Sequence, residues 1–421
     1  MHQNTVSQSS FPRVLANDKL RGRIDGFLLM TDRLLGRGVL ACLLILITGL
    51  APLVSQAAAP IIPPPPDIAA TSYLLIDANS QEVLVEFNAK EQIPPASLTK
   101  IMTSYLVEQE ISSGRISVDD DVAVSVNAWR TGGSKMFIRE GTKVKVGDLL
   151  HGVIIQSGND ASVALAEHIG GSESAFANMM NQQAAVLGMH NSNFKNATGL
   201  PHKEHYSSAW DLAILTRDLI QRFPEHYGLY SQREFTYNGI EQKNRNKLLW
   251  RDRTVDGVKT GFTNSAGYCL VSSAVRQGMR LISVVMGTDS DQARMRESQK
   301  LLSYGFRYYE TQALYKADVM LKEQKLYYAE VEEIGLGVAE DVVLTFPRGY
   351  YKDIEAELTV PKVLEAPLLA GEEVGELILR LNDEIIYQAP LVALQDAPQS
   401  GVLSRVSDFV SLFIDELLST E

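Results

Sequence analysis

The sequence predicts an α+β fold: an antiparallel sheet that carries a cluster of helices, followed by a small all-β domain and an amphipathic C-terminal helix. Two changes along the chain favour this arrangement. A strand pattern gives way to a block of segments with a 3.6-residue apolar period, and strands return after that block. Beyond about Ala313, short strand-like runs broken by Gly, Pro and Asn-Asp predominate, which is typical of a β-rich domain. A chain of 421 residues has room for both domains.

The first domain is predicted to open with a β-hairpin. Its strands cover residues 73–76 and 83–87, and two consecutive prolines then end the strand pattern just before a helix. Four further helices are predicted from their apolar period, at 146–155, 159–169, 173–187 and 211–222. Three strands and another helix follow, at 257–259, 268–275, 280–286 and 298–308. Gln277 and Gly278 predict a tight turn between the last two strands.

The second domain is predicted from five strand-like runs, at 326–331, 341–346, 354–360, 374–381 and 384–394. It contains no cluster of catalytic residue types, so we expect a spacer or binding role. The last helix, 402–418, places these apolar side chains on one face: Val406, Phe409, Val410, Phe413, Ile414 and Leu417. Such a helix can lie in a membrane interface, although its acidic residues weaken attraction to anionic lipid. Docking of that face on the body of the protein is the alternative.

Residues 1–57 are predicted to be a signal-peptide region. Two arginines precede an apolar run at 39–50, and the small residues Ser55 and Ala57 follow it, as a signal peptidase requires. The run is shorter than the roughly 20 residues that span a bilayer. An uncleaved N-terminal anchor is the alternative. Met30 stands where a signal peptide of ordinary length begins, so translation starting at this residue is also considered.

The predicted organisation follows from these elements. It comprises a signal-peptide region at 1–57, a proline-rich linker at 58–68, the first domain at 69–310, the β-rich domain at 311–398 and the C-terminal helix at 399–421.

Composition and charge exclude several classes of function. The net charge is −12 at pH 7 and no basic stripe with interleaved aromatic residues occurs, so nucleic acid is not expected as a partner. Of the two cysteines, Cys42 lies in the predicted leader, and Cys269 is expected to be a buried, unreactive thiol. No cofactor is predicted. Among seven histidines only His202 and His205 have ligand-like spacing; both stand in a loop, where surface histidines are favoured over a metal site.

A serine and a lysine one helical turn apart form the first of three short motifs. Ser97 and Lys100 stand at a predicted helix start, where the serine hydroxyl lies near unpaired backbone N–H groups. A serine hydroxyl is a weak nucleophile, and a partly desolvated lysine can take its proton. Alone, the pair is equally typical of a capping serine followed by a surface lysine.

The second motif is Ser-Gly-Asn at 157–159, in the break between two predicted helices. Ser157 can relay a proton between Lys259 and a leaving amine, and Asn159 can hold Lys100 together with a substrate amide. The structural alternative is a plain loop.

The third motif is Lys-Thr-Gly at 259–261, at the end of a predicted strand. Thr260 offers a hydroxyl to a substrate carboxylate, and Gly261 lets an extended substrate lie close to the strand. Each motif alone is weak. Their joint occurrence in this order matches the Ser-x-x-Lys, Ser-Asp-Asn and Lys-Thr-Gly set of class A β-lactamases and penicillin-binding proteins, with Gly158 in place of Asp.

Longer stretches around these motifs, 94–103, 154–161 and 256–263, carry a specific family resemblance. From about Ala69 onward the chain resembles the D-alanyl-D-alanine carboxypeptidases among low-molecular-mass penicillin-binding proteins, particularly the penicillin-binding protein 5 group. The resemblance implies a β-lactamase/transpeptidase-like serine domain, a β-rich second domain and a C-terminal membrane-anchor helix. It also implies an exported enzyme at the periplasmic face of the inner membrane.

The resemblance assigns roles to residues. It implies Ser97 as the acylated nucleophile and Lys100 as its base, with Ser157, Asn159 and Lys259 completing the proton network. The backbone N–H groups of Ser97 and Phe262 would form the oxyanion hole, although the family often has His or Tyr at that second position. The substrate-binding residues implied are Lys259, Thr260, Gly261 and Arg294. The alternative for Arg294 is a solvated arginine at a helix start.

The implied activity is removal of the terminal D-alanine from peptidoglycan stem pentapeptides through an acyl-serine, with β-lactams acylating the same serine. A β-lactamase shares the motifs but requires a dedicated base for deacylation, which the Ser-Gly-Asn motif and the β-rich tail argue against. An endopeptidase or transpeptidase differs only in the bond or the acceptor. A metal-dependent peptidase and a non-catalytic peptidoglycan-binding protein are the remaining alternatives.

Overall fold

The computed structural model describes residues 62–418, with side chains through Ile414. The predicted signal-peptide region, Cys42 included, lies outside the described residues, as does the start of the linker. The rest of the linker runs along the first domain without regular secondary structure. Ile68 is buried against that domain, and the carbonyl oxygen of Pro63 accepts a hydrogen bond from the Tyr304 hydroxyl at 3.1 Å.

A five-stranded antiparallel sheet forms the centre of the first domain. In spatial order its strands are β2 (Val83–Phe87), β1 (Ser72–Asp77), β9 (Met279–Thr288), β8 (Gly267–Arg276) and β7 (Val255–Thr263). The predicted hairpin is β1–β2, and the predicted turn at Gln277 and Gly278 joins β8 to β9. Both turn residues have a positive φ, as two-residue hairpin turns require. The middle residues of β8 and β9 are buried without alternation because both faces of the sheet are covered.

A cluster of helices covers one face of this sheet. Its members are α1 (Lys100–Ser112), α2 (Val126–Arg130), α3 (Val146–His151), α4 (Asn159–Gly170), α5 (Glu173–Val186) and α6 (Ala209–Arg222). Helix α1 is buried on nearly every side, so it forms the centre of the larger apolar core. Ser172 and Ser208 begin α5 and α6 by accepting the N–H groups of Ala175 and Asp211, which serine caps are suited to do.

Several short elements escaped prediction because segments of three to five residues carry no usable period. In the first domain they are the helices α2, α7 (Pro224–Tyr227) and α8 (Leu248–Arg251), and the hairpins β3 (Asp121–Ala123) with β4 (Lys143–Lys145) and β5 (Glu234–Tyr237) with β6 (Ile240–Lys243). The helix predicted at 146–155 is α only as far as His151. It continues as a π-helical turn, Gly152–Gln156, which leads into the Ser-Gly-Asn motif.

Helix α9 (Asp291–Tyr308) packs on the opposite face of the sheet. It begins seven residues before the predicted start at 298. The cause is Ser290, whose side chain accepts the N–H of Ala293 at 3.0 Å and so caps the helix. This earlier start places Asp291 and Arg294 in the first turn, beside the end of β7.

The second domain is all β. Strands β10 (Tyr309–Tyr315) and β13 (Val342–Pro347) pair with each other, and a five-stranded antiparallel sheet has the order β11 (Lys322–Lys325), β12 (Glu333–Gly337), β16 (Glu384–Ala393), β15 (Glu373–Leu381), β14 (Ile354–Thr359). The strand predicted at 326–331 is wrong: β11 ends at Lys325, and within 326–331 Tyr327 and Ala329 form only isolated bridges. Leu326 and Ala329 are nevertheless buried, which explains their apolar pattern.

The C-terminal helix is present as α10 (Val402–Leu418). The described side chains of its predicted apolar face are exposed: Val406, Phe409, Val410, Phe413 and Ile414. A carboxylate oxygen of Asp408 accepts the N–H of Tyr328 at 2.7 Å, so a polar side of the helix meets the second domain. Among residues 62–418, no helix has both the length and the apolar content that crossing a membrane requires.

Candidate active site

Ser97 lies in a turn of 3₁₀-helix, Ala96–Thr99, that leads directly into α1. We call these four residues the nucleophile turn. The helix predicted from Ser97 therefore begins with this tighter turn. Lys100 follows as the first residue of α1 and is 1% exposed, which contradicts the surface-lysine alternative.

The ammonium group of Lys100 has three oxygen partners. They are the hydroxyl of Ser97 at 3.2 Å, the side-chain oxygen of Asn159 at 2.7 Å and the carbonyl oxygen of Thr198 at 2.5 Å. Burial, and then the positive charge of Arg245, lower the pKa of Lys100 to about 7. A lysine with this pKa has a substantial neutral fraction at physiological pH, as a general base requires.

The Ser-Gly-Asn motif begins where the π-helical turn ends. Ser157 has φ 64° and ψ 36°, a left-handed conformation, and its buried hydroxyl has no hydrogen-bond partner within the described part of the chain. The side chain of Asn159 spans two segments, since it accepts from Lys100 and donates to the carbonyl of Gly132 at 2.6 Å. The motif thus joins α1 to the loop that precedes β4.

Gly158 departs from the aspartate of the related motif, and its surroundings explain why a glycine fits. A Cβ atom there would lie 2.9 Å from a carboxylate oxygen of Asp160 and 3.1 Å from the nitrogen of Met136. That carboxylate accepts the N–H groups of Met136 and Phe137 at 2.8 and 2.9 Å. A side chain at 158 would therefore disturb the contact that fixes this loop.

The Lys-Thr-Gly motif lies on the edge strand β7. Lys259 is 2% exposed, and its ammonium group donates to the carbonyl of Thr260 at 3.1 Å. Burial, and then the charge of Lys100, hold the pKa of Lys259 well below its usual range. A Cβ atom on Gly261 would lie 3.0 Å from the carbonyl oxygen of Pro95, so this glycine lets β7 approach the nucleophile turn rather than only a substrate.

Arg294 reaches the end of β7 from α9. It is 7% exposed, so the solvated-arginine alternative is wrong. Its guanidinium donates to the carbonyl of Gly261 at 2.9 Å and pairs with the carboxylate of Asp291. Phe262 is 47% exposed, and its ring centre lies 4.2 Å from that of Tyr268.

These residues lie in or next to a cleft of about 370 Å³. The sequence-predicted residues that line it are Ser97, Ser157, Thr260, Gly261, Phe262 and Arg294. The predicted Lys100, Asn159 and Lys259 are buried next to them. Five further residues line the cleft, and no pattern in the sequence predicted them: Ser134, Arg245, Lys247, Tyr268 and Asp291. Arg245 donates to the carbonyl of Gln156 at 3.0 Å, so it adds a positive charge to the cleft beside those of Lys247 and Arg294.

The histidine pair and the free cysteine lie outside this cleft. His202 is exposed as predicted, but His205 is 4% exposed, so its prediction as a surface histidine is wrong. Both ring nitrogens of His205 have protein partners: the Thr99 hydroxyl at 2.8 Å and the N–H of Lys195 at 3.4 Å. Cys269 is buried as predicted, and burial raises the pKa of its thiol to about 11.

Comparison with known proteins identifies the fold and its activity. A family profile described as D-alanyl-D-alanine carboxypeptidase matches residues 58–290. The chain belongs to this family. A second profile, the C-terminal domain of penicillin-binding protein 5, matches residues 309–399. The predicted fold class and the predicted D-alanyl-D-alanine carboxypeptidase activity are thereby confirmed.

Individual relatives match this chain over 57–82% of its length. The D-alanyl-D-alanine carboxypeptidase DacC of Escherichia coli is 43% identical over 82% of this chain and 89% of its own length. The crystal structure of penicillin-binding protein 5 from Haemophilus influenzae has a TM-score of 0.77 and 42% identity, over 80% of this chain and 99% of that one. Penicillin-binding protein D2 from Listeria monocytogenes, in its ampicillin-bound form, matches at 32% identity with a TM-score of 0.54, over 57% of this chain and 100% of its own.

Proposed function

We propose that this carboxypeptidase removes the terminal D-alanine of peptidoglycan stem pentapeptides, with Ser97 as the acylated nucleophile and Lys100 as its general base. The observation that carries the proposal is the partly buried contact of 3.2 Å between the Lys100 amine and the Ser97 hydroxyl. Because burial and the charge of Arg245 lower the pKa of Lys100 to about 7, its amine can accept the serine proton as the hydroxyl attacks.

The reaction has two steps. Ser97 Oγ attacks the carbonyl carbon between the two D-alanines while its proton passes to Lys100. The C–N bond then breaks, and the leaving amine takes the proton from Lys100 through Ser157, whose buried hydroxyl has no hydrogen-bond partner among residues 62–418. Water next attacks the acyl-serine ester. Its proton passes through Lys100 to Ser97 Oγ, and the shortened peptide is released. Asn159 keeps the Lys100 amine in place, and Lys259, whose pKa burial lowers, completes the proton network with Ser157.

Substrate binding follows from the charge of the cleft. The terminal carboxylate of the peptide would meet Thr260 and Arg294, next to Lys259, at the end of β7. The oxyanion of the tetrahedral intermediate would accept hydrogen bonds from the backbone N–H groups of Ser97 and Phe262. Because only the backbone of residue 262 takes part, a phenylalanine there is compatible with catalysis.

β-Lactams imitate the D-Ala-D-Ala dipeptide, so benzylpenicillin should acylate Ser97. The test is the intact mass of the protein from Ala58 onward, before and after benzylpenicillin, together with D-alanine release from a D-Ala-D-Ala-terminated peptide. One adduct on Ser97 and free D-alanine are expected. Ser97→Ala should lose both, whereas Ser113→Ala, at the far end of α1, should retain both. A labelled Ser97→Ala protein contradicts the assignment.

The same experiment separates the related activities. Rapid turnover of the penicillin, rather than a stable adduct, would indicate a β-lactamase. An adduct without D-alanine release would indicate a transpeptidase or an endopeptidase, and neither adduct nor release a non-catalytic protein. Activity that a chelator abolishes would indicate a metal-dependent peptidase. Both nitrogens of His205 already have protein partners, which argues against that last alternative.

We propose further that the enzyme is exported and that α10 holds it at the periplasmic face of the cytoplasmic membrane. The support is the exposed apolar face of the helix, which includes Phe409 and Phe413. Co-sedimentation with zwitterionic phosphatidylcholine vesicles tests this role. Phe409→Glu should lose vesicle binding, and Ser411→Glu on the same helix should reduce it less. Equal binding by wild type and Phe409→Glu contradicts the proposal.

A further inference from the structure

The nucleophile turn is a strained segment that its surroundings must hold in place. Ala96, directly before Ser97, has φ 49°, a left-handed conformation that is unfavourable for a non-glycine residue. Strain of this kind persists only where neighbouring structure imposes it. The contacts that hold it here come from β7, at Gly261, and from one loop, residues 196–207, which we call the clamp loop.

The clamp loop meets the nucleophile turn on both sides. Before the turn, Ile93 and Ser207 exchange two backbone hydrogen bonds of 2.8 and 3.0 Å. Within it, Gly199 lies so close that a Cβ atom there would be 1.8 Å from the carbonyl oxygen of Ala96. Beyond it, the carbonyl of Thr198 accepts from Lys100. The loop and the turn are therefore packed backbone against backbone.

A single side chain of the clamp loop reaches into the nucleophile turn by a hydrogen bond. His205 Nε2 lies 2.8 Å from the hydroxyl of Thr99, the residue between Leu98 and Lys100. Because Nδ1 accepts the N–H of Lys195, the ring proton stands on Nε2, and the imidazole donates to Thr99. Burial, and then the charges of His202 and Lys100, lower the pKa of His205 to about 4, so the ring stays neutral at physiological pH.

We infer that His205 is a positioning residue: its hydrogen bond to Thr99 fixes the orientation of the nucleophile turn and hence the geometry between Ser97 and Lys100. This inference rests on the proposed roles of those two residues. The imidazole touches neither the substrate cleft nor the reacting atoms. It acts on catalysis through the turn, where a displacement of the serine hydroxyl of about 1 Å can lower a rate by about 100-fold.

The test is His205→Phe, which keeps an aromatic ring and removes the hydrogen bond. The second-order rate of acylation by benzylpenicillin, normalised to the sites that finally become labelled, should fall about 10- to 100-fold. For a D-Ala-D-Ala peptide, kcat should fall in proportion while KM changes less than about threefold. His205→Gln, whose amide N–H can reach Thr99, should recover part of the rate. His202→Phe, in the same loop but exposed, should match the wild type.

A double-mutant cycle separates positioning from mere stabilisation. In a Thr99→Val background, His205→Phe should cost little further rate, because the hydrogen bond is already absent. Independent, multiplicative losses would overturn the inference. A His205→Phe protein with a lower Tm but the wild-type rate per labelled site would overturn it too. Failure of the proposed function itself would look different, since Ser97→Ala would then still be labelled.

Discussion

The two domains differ in what they bury. The first encloses charged side chains at and near its cleft, including Lys100, Lys259 and Arg294, and encloses Glu108 deeper in the same helix as Lys100. Within residues 309–399, by contrast, none of the buried side chains is charged, and two apolar clusters form the interior. Burying a charge is costly unless it is paired and hydrogen-bonded. The buried charges therefore lower the stability of the first domain, and the second domain carries no such cost.

Apolar packing and hydrogen bonds in the first domain offset the cost of its buried charges. The sheet has an apolar cluster on each face, and the larger one surrounds α1, from which Lys100 and Glu108 project. Each buried lysine has oxygen partners, as a buried ammonium group requires. The lesson is that the rigid apolar surroundings are what make a lysine amine available as a base near neutral pH. The predictions below test this contrast between the domains.

The largest effect is expected at Lys100. Lys100→Ala should lower the rate of acylation by benzylpenicillin about 10³-fold, within the range that general-base catalysis contributes. In the proposed mechanism the neutral amine of Lys100 is the reactive form, and burial and Arg245 lower its pKa to about 7. The rate should therefore rise from pH 5 through about 7 and level off above it. Stopped-flow acylation between pH 5 and 9 measures this profile; a flat one would argue against Lys100 as the base. Lys143→Ala, an exposed lysine on β4, is the control.

An intermediate effect, on stability alone, is expected in the second domain. Leu377 on β15 is fully buried in its apolar cluster, so Leu377→Ala should lower the free energy of unfolding of that domain by about 3 kcal/mol. Because no cleft residue comes from this domain, kcat/KM for a soluble peptide should stay at the wild-type value. Urea unfolding and D-alanine release measure the two quantities. Lost activity in the folded Leu377→Ala protein would mean that the domains are coupled. Leu215→Ala, buried in α6, is the matched change in the first domain.

The smallest effect is expected at Glu108. Its buried carboxylate contacts the ring of His226, but neither of its oxygens accepts a hydrogen bond from the described residues. Burial raises the pKa of Glu108 to about 8, above its unfolded value, so its contribution to stability is full below about pH 4.5 and is lost as pH rises through 8.

Glu108→Gln cannot ionise and should become more stable than the wild type as pH rises. The difference should be on the order of 1–2 kcal/mol at pH 8, because the ring of His226 offsets part of the cost of the charge. Thermal unfolding at pH 5 and pH 8 measures it. A stability difference that is equal at both pH values would show that Glu108 does not titrate in this range.

Much of the first domain was predictable because its signals are local. The β1–β2 hairpin, the β8–β9 turn and the helices of the cluster follow from apolar periods and turn residues that lie within each segment. The errors have local causes too. Ser290 starts α9 earlier than the apolar pattern does, and the apolar residues near Leu326 are buried in an irregular segment rather than a strand. Patterns report burial, and burial does not by itself distinguish a strand from a packed loop.

By itself the sequence determined which residues we propose for the chemistry: the serine and lysine one turn apart, the Ser-Gly-Asn break and the Lys-Thr-Gly strand end. These are neighbours along the chain, so spacing was sufficient to find them. Only the tertiary structure decided that Arg245 lines the cleft and that His205 is buried against the Thr99 hydroxyl. It also decided how far the pKa of Lys100 falls. Those properties depend on segments that lie far apart in the chain, and packing alone brings such segments together and removes them from water.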